Sequence, residues 1–193
     1  MSEAYSALLA NASFHELLLA YDRDLAETTH ARRCGCGGAL HSAKYPRKPR
    51  PWAWVRSLGP EHHRRFSFCC ALDGCRGRAT PPSLRFLGRK VYLSATVVLI
   101  SIMCLGMSEA RVRRLTGVID IDRRTIARWR EWWREAFTAT PFWRSVRAAF
   151  MPPLNEDGLP AALLERFAGS AAERLIALLR FLSPISGGRV QAR

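Results

Sequence analysis

Residues 4–29 place apolar side chains at helical spacing, with Leu8, Leu9, Phe14, Leu17, Leu18, Leu19 and Tyr21 recurring between polar positions. That pattern predicts one or two short helices. From about residue 31 to 85 the rhythm breaks. Gly, Pro, Arg and Cys dominate, and the run Arg65, Phe66, Ser67, Phe68, Cys69, Cys70 stands out as strand-like. The apolar bulk there is too small for an independent core, so the texture predicts short strands and tight turns stabilised by a metal. Helical spacing returns from Lys90 to about Phe150. Pro152, Pro153 and Gly158 then mark a linker, and a last helical block runs from Pro160 to about Leu182 before Pro184, Gly187 and Gly188 end it.

Within the 90–150 stretch three helices are expected. The first is apolar: residues 91–107 (VYLSATVVLISIMCLGM) make 17 positions without a charge. That is short of the ~20 apolar residues that span a bilayer, and it contains Ser94, Thr96 and Ser101, so a buried core helix is expected rather than a membrane span. The second begins near Ser108 and carries Arg111, Arg113 and Arg114 to Gly117. The third opens at Asp122, an N-cap residue, and runs to Phe137. In it Ile126, Trp129, Trp133 and Phe137 form one apolar stripe, while Arg124, Arg128 and Glu131 lie on another face, with Arg123 at its start. A recognition helix needs that division, with one side anchored in a core and Arg side chains near its N-terminus free for the major groove. In the last block Ser170 and Glu173 have capping-box spacing. The apolar helix that follows must be buried, within the chain by expectation, or against a second copy in a homodimer as the alternative.

Charge sharpens this picture. The chain has 30 Lys+Arg against 16 Asp+Glu, a net of +14. Residues 1–30 carry one Arg and five acids, residues 31–150 carry 24 basic and seven acidic side chains, and residues 151–193 carry five and four. A centre so basic is suited to a polyanion, and nucleic acid is the usual one. No basic region followed by a continuous apolar run opens the chain, so no signal peptide is expected and a reducing, cytoplasmic setting is. Clustered cysteines there bind metal more often than they form disulfides.

Five of the six cysteines fall between residues 34 and 75 in two groups: Cys34 and Cys36 beside Gly35, Gly37 and Gly38, then Cys69, Cys70 and Cys75. Structural zinc takes four soft donors from two separate turns. The expected ligands are Cys34, Cys36, Cys70 and Cys75, with zinc as the cofactor. The spacing leaves alternatives: His30 or His41 for Cys34, Cys69 for Cys70, and His62 and His63 as further donors. Cys104, inside the apolar helix, reads as a core residue.

The string from Arg123 to Trp129 (RRTIARW) resembles the start of the recognition helix in bacterial transposase and regulator helix-turn-helix domains. A zinc ribbon followed by a helix-turn-helix is similar to the N-terminal DNA-binding part of insertion-sequence transposases and of small proteins carried with them. The stretch RRFSFCCALDGCRGRATPPSLRFLGRKVY has the same texture. The resemblance covers roughly residues 34–140, although the 117–122 connection is longer than the usual tight turn.

The expected fold class is therefore mostly α with a small zinc-ribbon β element, built as a three-helix helix-turn-helix core plus C-terminal helices. Four regions are expected: an acidic helical segment at 1–30, a basic ribbon-like module at 31–88, the helix-turn-helix at 89–150, and a linker with an apolar helix at 151–193. The expected partner is duplex DNA, with Arg123, Arg124 and Arg128 facing bases or nearby phosphates and Lys44, Arg47, Lys48, Arg50, Arg64 and Arg65 touching backbone. RNA binding is the main alternative, and a non-catalytic transposase remnant is another. No small-molecule substrate is inferred. The carboxylates lack the separated triad that two-metal transposition chemistry requires, and no nucleophile-base constellation, P-loop or dinucleotide fingerprint appears, so no enzyme is expected.

Overall fold

The computed structural model describes residues 3–47, 58–88, 92–105, 108, 110 and 121–190. In chain order these form α1 (Glu3–Ala10), α2 (Ala12–Ala31), β1 (Leu40–Ser42), β2 (Tyr45–Pro46), a 3-10 turn (Pro60–His63), β3 (Arg64–Arg65), β4 (Phe68–Cys70) and β5 (Arg78–Thr80). There follow α3 (Ser94–Met103), α4 (Arg123–Glu131) with a π-helical continuation (Trp132–Phe137), α5 (Pro141–Val146), α6 (Ala161–Leu164), α7 (Ala171–Leu182) and β6 (Gly188–Val190). The protein is mostly helical with a small antiparallel sheet. It divides into two compact units. One, here the sheet unit, takes residues 10–94 and 179–193; the other, the helical unit, takes 1–9 and 95–178.

In the sheet unit, Asn11 caps α2 by accepting a hydrogen bond from the Phe14 backbone N–H at 3.1 Å, as a short polar side chain does at a helix start. The buried face of α2 carries Phe14, His15, Leu18, Leu19, Asp22 and Ala26. Leu19 and Ala26 join Leu40, Phe66, Phe68 and Ala79 in one apolar cluster, with Cys34 packed against it. The four-stranded sheet has the order β1-β4-β5-β6, with Leu40 opposite Cys70, Cys69 opposite Arg78 and Arg78 opposite Val190. All its pairs are antiparallel. A smaller antiparallel pair joins β2 to β3.

The same unit contains a buried polar network. Asp22 is fully buried on a stripe otherwise made of Phe14, Leu18 and Ala26. Its carboxylate accepts hydrogen bonds from Ser83 Oγ (2.5 Å), the Leu84 N–H (2.6 Å) and Arg85 Nε (2.8 Å). Arg85, 2% exposed, directs its other nitrogens to the carbonyls of Glu61, His62 and Arg64. Burial lowers the Arg85 pKa, while the Asp22 charge and hydrogen bond oppose that shift. Such a pair survives burial because each partner is neutralised and hydrogen-bonded by the other.

The helical unit is held differently. Residues 97–100 of α3 are fully buried, as expected for the apolar run, although the helix spans only 10 residues. Among the described residues no helix is long and apolar enough to cross a membrane. The expected stripe of α4 and its continuation is buried too: Ile126, Trp129, Trp133 and Phe137 are at most 4% exposed. Ring packing continues from Trp133 to Phe137 (5.1 Å between centroids) and from Phe137 to Trp143 (5.1 Å). These are edge or tilted geometries that aromatic quadrupoles favour. Ser170 and Glu173 form the expected capping box, the Ser170 N–H donating to Glu173 Oε2 at 2.7 Å. The second expected helix, near 108–117, and most of the connection after it lie outside the described residues.

Candidate metal centre and nucleic-acid interface

Four thiols converge at one end of the sheet. The chain leaves α2 through a turn in which the Gly37 N–H donates to the Cys34 carbonyl and the Cys34 N–H to the Gly38 carbonyl, both at 2.9 Å. That places Cys34 and Cys36 just before β1. The second turn joins β4 to β5: the Cys75 N–H donates to the Leu72 carbonyl at 3.2 Å, and the Cys70 N–H to the Gly77 carbonyl at 2.9 Å. The two turns are stitched together by the Ala71 N–H, which donates to the Ala39 carbonyl at 2.9 Å. Gly38 is needed for this approach, since a Cβ there would stand 2.7 Å from Cys70 Sγ.

The result is a cluster of Cys34, Cys36, Cys70 and Cys75 whose sulfurs all lie within 4.8 Å of one another. Cys36 and Cys70 are 3.5 Å apart, and Cys34 and Cys75 are 3.8 Å apart. Four thiolates held about 2.3 Å from a zinc ion at tetrahedral angles stand about 3.8 Å from one another, so the spacing fits a tetrahedral metal. The four residues lie close enough to hold a metal ion, and their chemistry is compatible with zinc.

Ionisation within the cluster follows the same geometry. A hydrogen bond from the Gly38 backbone, then the thiols of Cys75, Cys70 and Cys34, bring the Cys36 thiol down to about 7. For Cys70 the Leu72 N–H pulls the pKa down, but burial and the three neighbouring thiols outweigh it and push it up to about 12. Cys75 is raised as well, because its Cys36 and Cys34 neighbours and burial outweigh the Gly77 N–H. Ionisation is thus eased at Cys36 and opposed at Cys70 and Cys75. A divalent cation held there would supply the positive charge that four adjacent thiolates lack.

The alternative donors are placed elsewhere. His30 Nε2 is 2.7 Å from the Leu40 carbonyl, and its ring lies against Phe68. His41 is exposed opposite Cys69, whose thiol donates to the Arg76 carbonyl at 3.8 Å. His62 is buried with Nε2 2.9 Å from Glu16 Oε1, and that hydrogen bond and charge lower the Glu16 pKa. His63 is not part of the cluster. Cys104 is fully buried, with its thiol pushed up by burial.

The basic residues separate into two kinds. On α4, Asp122 caps the helix by accepting from the Arg124 N–H at 2.7 Å. Arg123, Arg124 and Arg128 are exposed, and Arg130 and Arg134 join them on the solvent side. Arg128 Nη2 donates to Thr125 Oγ1 at 2.9 Å, which orients its guanidinium near the start of the helix. In the sheet unit the outcome is mixed. Arg64 is exposed. Lys44 is 3.5 Å from Glu61 Oε2 and lies over the Phe66 ring. Arg47 is half-buried, donating to the Gly88 carbonyl at 3.5 Å beside Phe86. Lys48 and Arg50 lie outside the described residues.

Arg65 corrects the expectation of a phosphate contact. It is 2% exposed, and its Nη2 donates to the carbonyls of Pro81 (2.7 Å) and Ser186 (2.9 Å). In β3 Arg64 faces outward and Arg65 inward, so Arg65 ties segments of the core together and offers no surface to a phosphate. Asp22 and Arg85 escaped the sequence reading, yet Asp22 gave a signal: it interrupts an apolar i, i+4 stripe, where an acid needs a partner.

In comparison with known proteins, the chain matches no family model, no curated protein and no solved structure.

Proposed function

We propose that this protein is a zinc-containing DNA-binding protein that reads duplex DNA through α4 and supports that contact with its basic sheet unit. The observation that carries the reading is the two-sided α4. Its Ile126, Trp129 and Trp133 side is buried while Arg123, Arg124 and Arg128 are exposed near its capped N-terminus. That arrangement suits insertion into a major groove, where a guanidinium fork pairs with a guanine edge or a phosphate. The four-cysteine cluster supports zinc as the ion that fixes the ribbon, closed to substrate by a full set of protein ligands. The finer architecture proposed is a zinc ribbon followed by a helix-turn-helix. Its setting, by the resemblance, is a mobile element or its regulation, in the cytoplasm.

The proposed role is binding without catalysis. Several carboxylates are already occupied in ways that support this: Asp22 neutralises Arg85, Asp122 caps α4, and Glu156 accepts from Trp143 Nε1 at 2.8 Å.

Fluorescence anisotropy with a labelled random duplex, titrated across salt with and without a zinc chelator, tests the reading. Binding should weaken steeply with salt and weaken further on chelation, which removes the contribution of the sheet unit and leaves that of α4. Arg124→Ala and Arg128→Ala should weaken binding to a selected duplex far more than Arg189→Ala, by roughly tenfold or more each. Equal losses would remove the recognition role from α4. Stronger binding to structured RNA than to duplex DNA would move the function to RNA.

A further inference from the structure

The two cysteine turns carry a second set of basic residues that the α4 contact does not use. Arg33 directly precedes Cys34, and Arg76 directly follows Cys75; these are the cysteines whose sulfurs lie 3.8 Å apart. Both arginines adopt positive φ, 55° for Arg33 and 41° for Arg76. A side-chain-bearing residue rarely takes that conformation. Each is therefore held in place by its turn. Arg33 Nη1 donates to the Gly37 carbonyl at 3.3 Å, and the Arg76 carbonyl accepts from the Cys69 thiol at 3.8 Å. Arg32, the residue that caps the end of α2, and Arg78, the first residue of β5, flank them. All four side chains are exposed. Among the described residues, none of the four has an acidic partner at ion-pair distance. Asp73 is the one acid within the two turns.

We infer that the tip formed by the two cysteine turns is a phosphate-docking surface for the nucleic-acid backbone, separate from α4 and built by Arg32, Arg33, Arg76 and Arg78. This rests on the nucleic-acid reading above and extends it to a site whose geometry depends on the metal. Guanidinium forks suit phosphate oxygens, and weak hydration makes them cheaper to bring against a backbone than ammonium groups. Holding the two turns together sets the separation of Arg33 and Arg76, so metal binding organises the surface before the duplex arrives. A competing role is local. A divalent ion with four thiolates carries two negative charges, and Arg33 and Arg76 stand where they would offset them. Arg32 and Arg78 are in excess of that need, and the two roles make different predictions.

The test uses the full chain loaded with zinc and three variants: R32Q/R78Q, R33Q/R76Q and, on α4, R124Q/R128Q. A labelled random duplex is titrated at several salt concentrations, and zinc affinity is measured in parallel by competition with a chromophoric chelator. Each lost phosphate contact should flatten the slope of log K against log salt by about 0.9. Both turn variants should therefore flatten it by nearly two and weaken low-salt binding by roughly tenfold to a hundredfold, with zinc affinity unchanged for R32Q/R78Q. A slope unchanged in both turn variants overturns the inference. Weaker zinc binding by R33Q/R76Q alongside that unchanged slope assigns the arginines to charge neutralisation instead. If the turn variants keep the wild-type slope while R124Q/R128Q loses binding, only this inference falls. If the unmodified protein fails to bind duplex at low salt, the nucleic-acid reading falls with it.

Discussion

The two compact units solve the same problem with opposite chemistry. Each must hold arginines at the surface of a very basic protein, where like charges repel. The helical unit anchors its arginines on the back of a buried Ile126 and Trp129 and an aromatic stack running from Trp133 through Phe137 to Trp143. The sheet unit has an apolar core of its own, with Phe14, Leu18, Phe66, Phe68 and Phe86 buried, and adds polar devices to it: four convergent thiols, a buried Asp22–Arg85 pair, and Arg65 bonded to two carbonyls. Apolar packing is non-directional and tolerant of change. A polar network is specific and fails sharply when one member is lost. The arginines of the helical unit should therefore outlast perturbations that disorganise those of the sheet unit.

Chelation should open the widest gap between the two. On the zinc reading, a structural site of this kind is worth on the order of 10 kcal/mol in small metal-folded domains. Removing the metal, or changing Cys70 to Ser, should abolish hydrogen-exchange protection in β1, β4 and β5. Amides of α4 should stay protected. Loss of protection in both units at once would show that they do not differ in this way.

Next comes a matched pair of core deletions. Asp22→Ala leaves the Arg85 guanidinium buried without its counter-charge and should cost about 3–5 kcal/mol. Phe137→Ala removes a fully buried ring and should cost about 3–5 kcal/mol through cavity formation. The distinction lies in rescue. Phe137→Leu should recover much of the loss in the helical unit, whereas Asp22→Leu should recover little, because it still strands Arg85. Urea unfolding of the four variants measures this.

A smaller effect is expected at the start of α4. Asp122→Ala removes the side chain that caps the Arg124 N–H and should cost about 1 kcal/mol, seen as a lower unfolding midpoint. Fraying there should also weaken duplex binding, while Asp122→Ser should restore both.

The smallest effect concerns pH. The His62 hydrogen bond and charge lower the Glu16 pKa in the folded protein. Its contribution is therefore present above the ordinary carboxylate range and is lost as pH falls through the lowered value. Glu16 is more exposed than buried, so the contribution stays below about 1 kcal/mol. Glu16→Gln should remove this part of the acid-side loss without changing stability at higher pH beyond that amount.

Local rules made much of this molecule legible. The stripe of Ile126, Trp129, Trp133 and Phe137, the cap at Asp122 and the box at Ser170 and Glu173 depend only on neighbours three or four residues away, and all three appear in the structure. The cysteine cluster was legible because two close groups of thiols beside glycines have the pattern of a four-donor metal site. Other features depended on partners distant in the chain. Arg65 looked like one more basic residue, since its fate is decided by the Pro81 and Ser186 carbonyls, the latter 121 residues away. β6 was hidden for the same reason: Gly188 to Val190 has no strand-like pattern of its own and pairs only because β5 offers an edge. The arginines of the cysteine turns were passed over because nothing in residue order marks a positive φ at Arg33 or Arg76.

That late strand also bears on how the protein is made. Ser83 and Ser186 are hydrogen-bonded across 103 residues of chain, and β6 joins β5 beside them. Emerging from a ribosome at roughly 5–20 residues per second, the segment that forms β5 waits several seconds at least for its neighbour. Throughout that interval residues 95–178, which in sequence separate the two segments of the sheet unit, are being synthesised. Until β6 is synthesised, the β5 edge remains open to any other extended segment in the crowded cell. Translation speed over the intervening region would then influence how much of the protein reaches its final form.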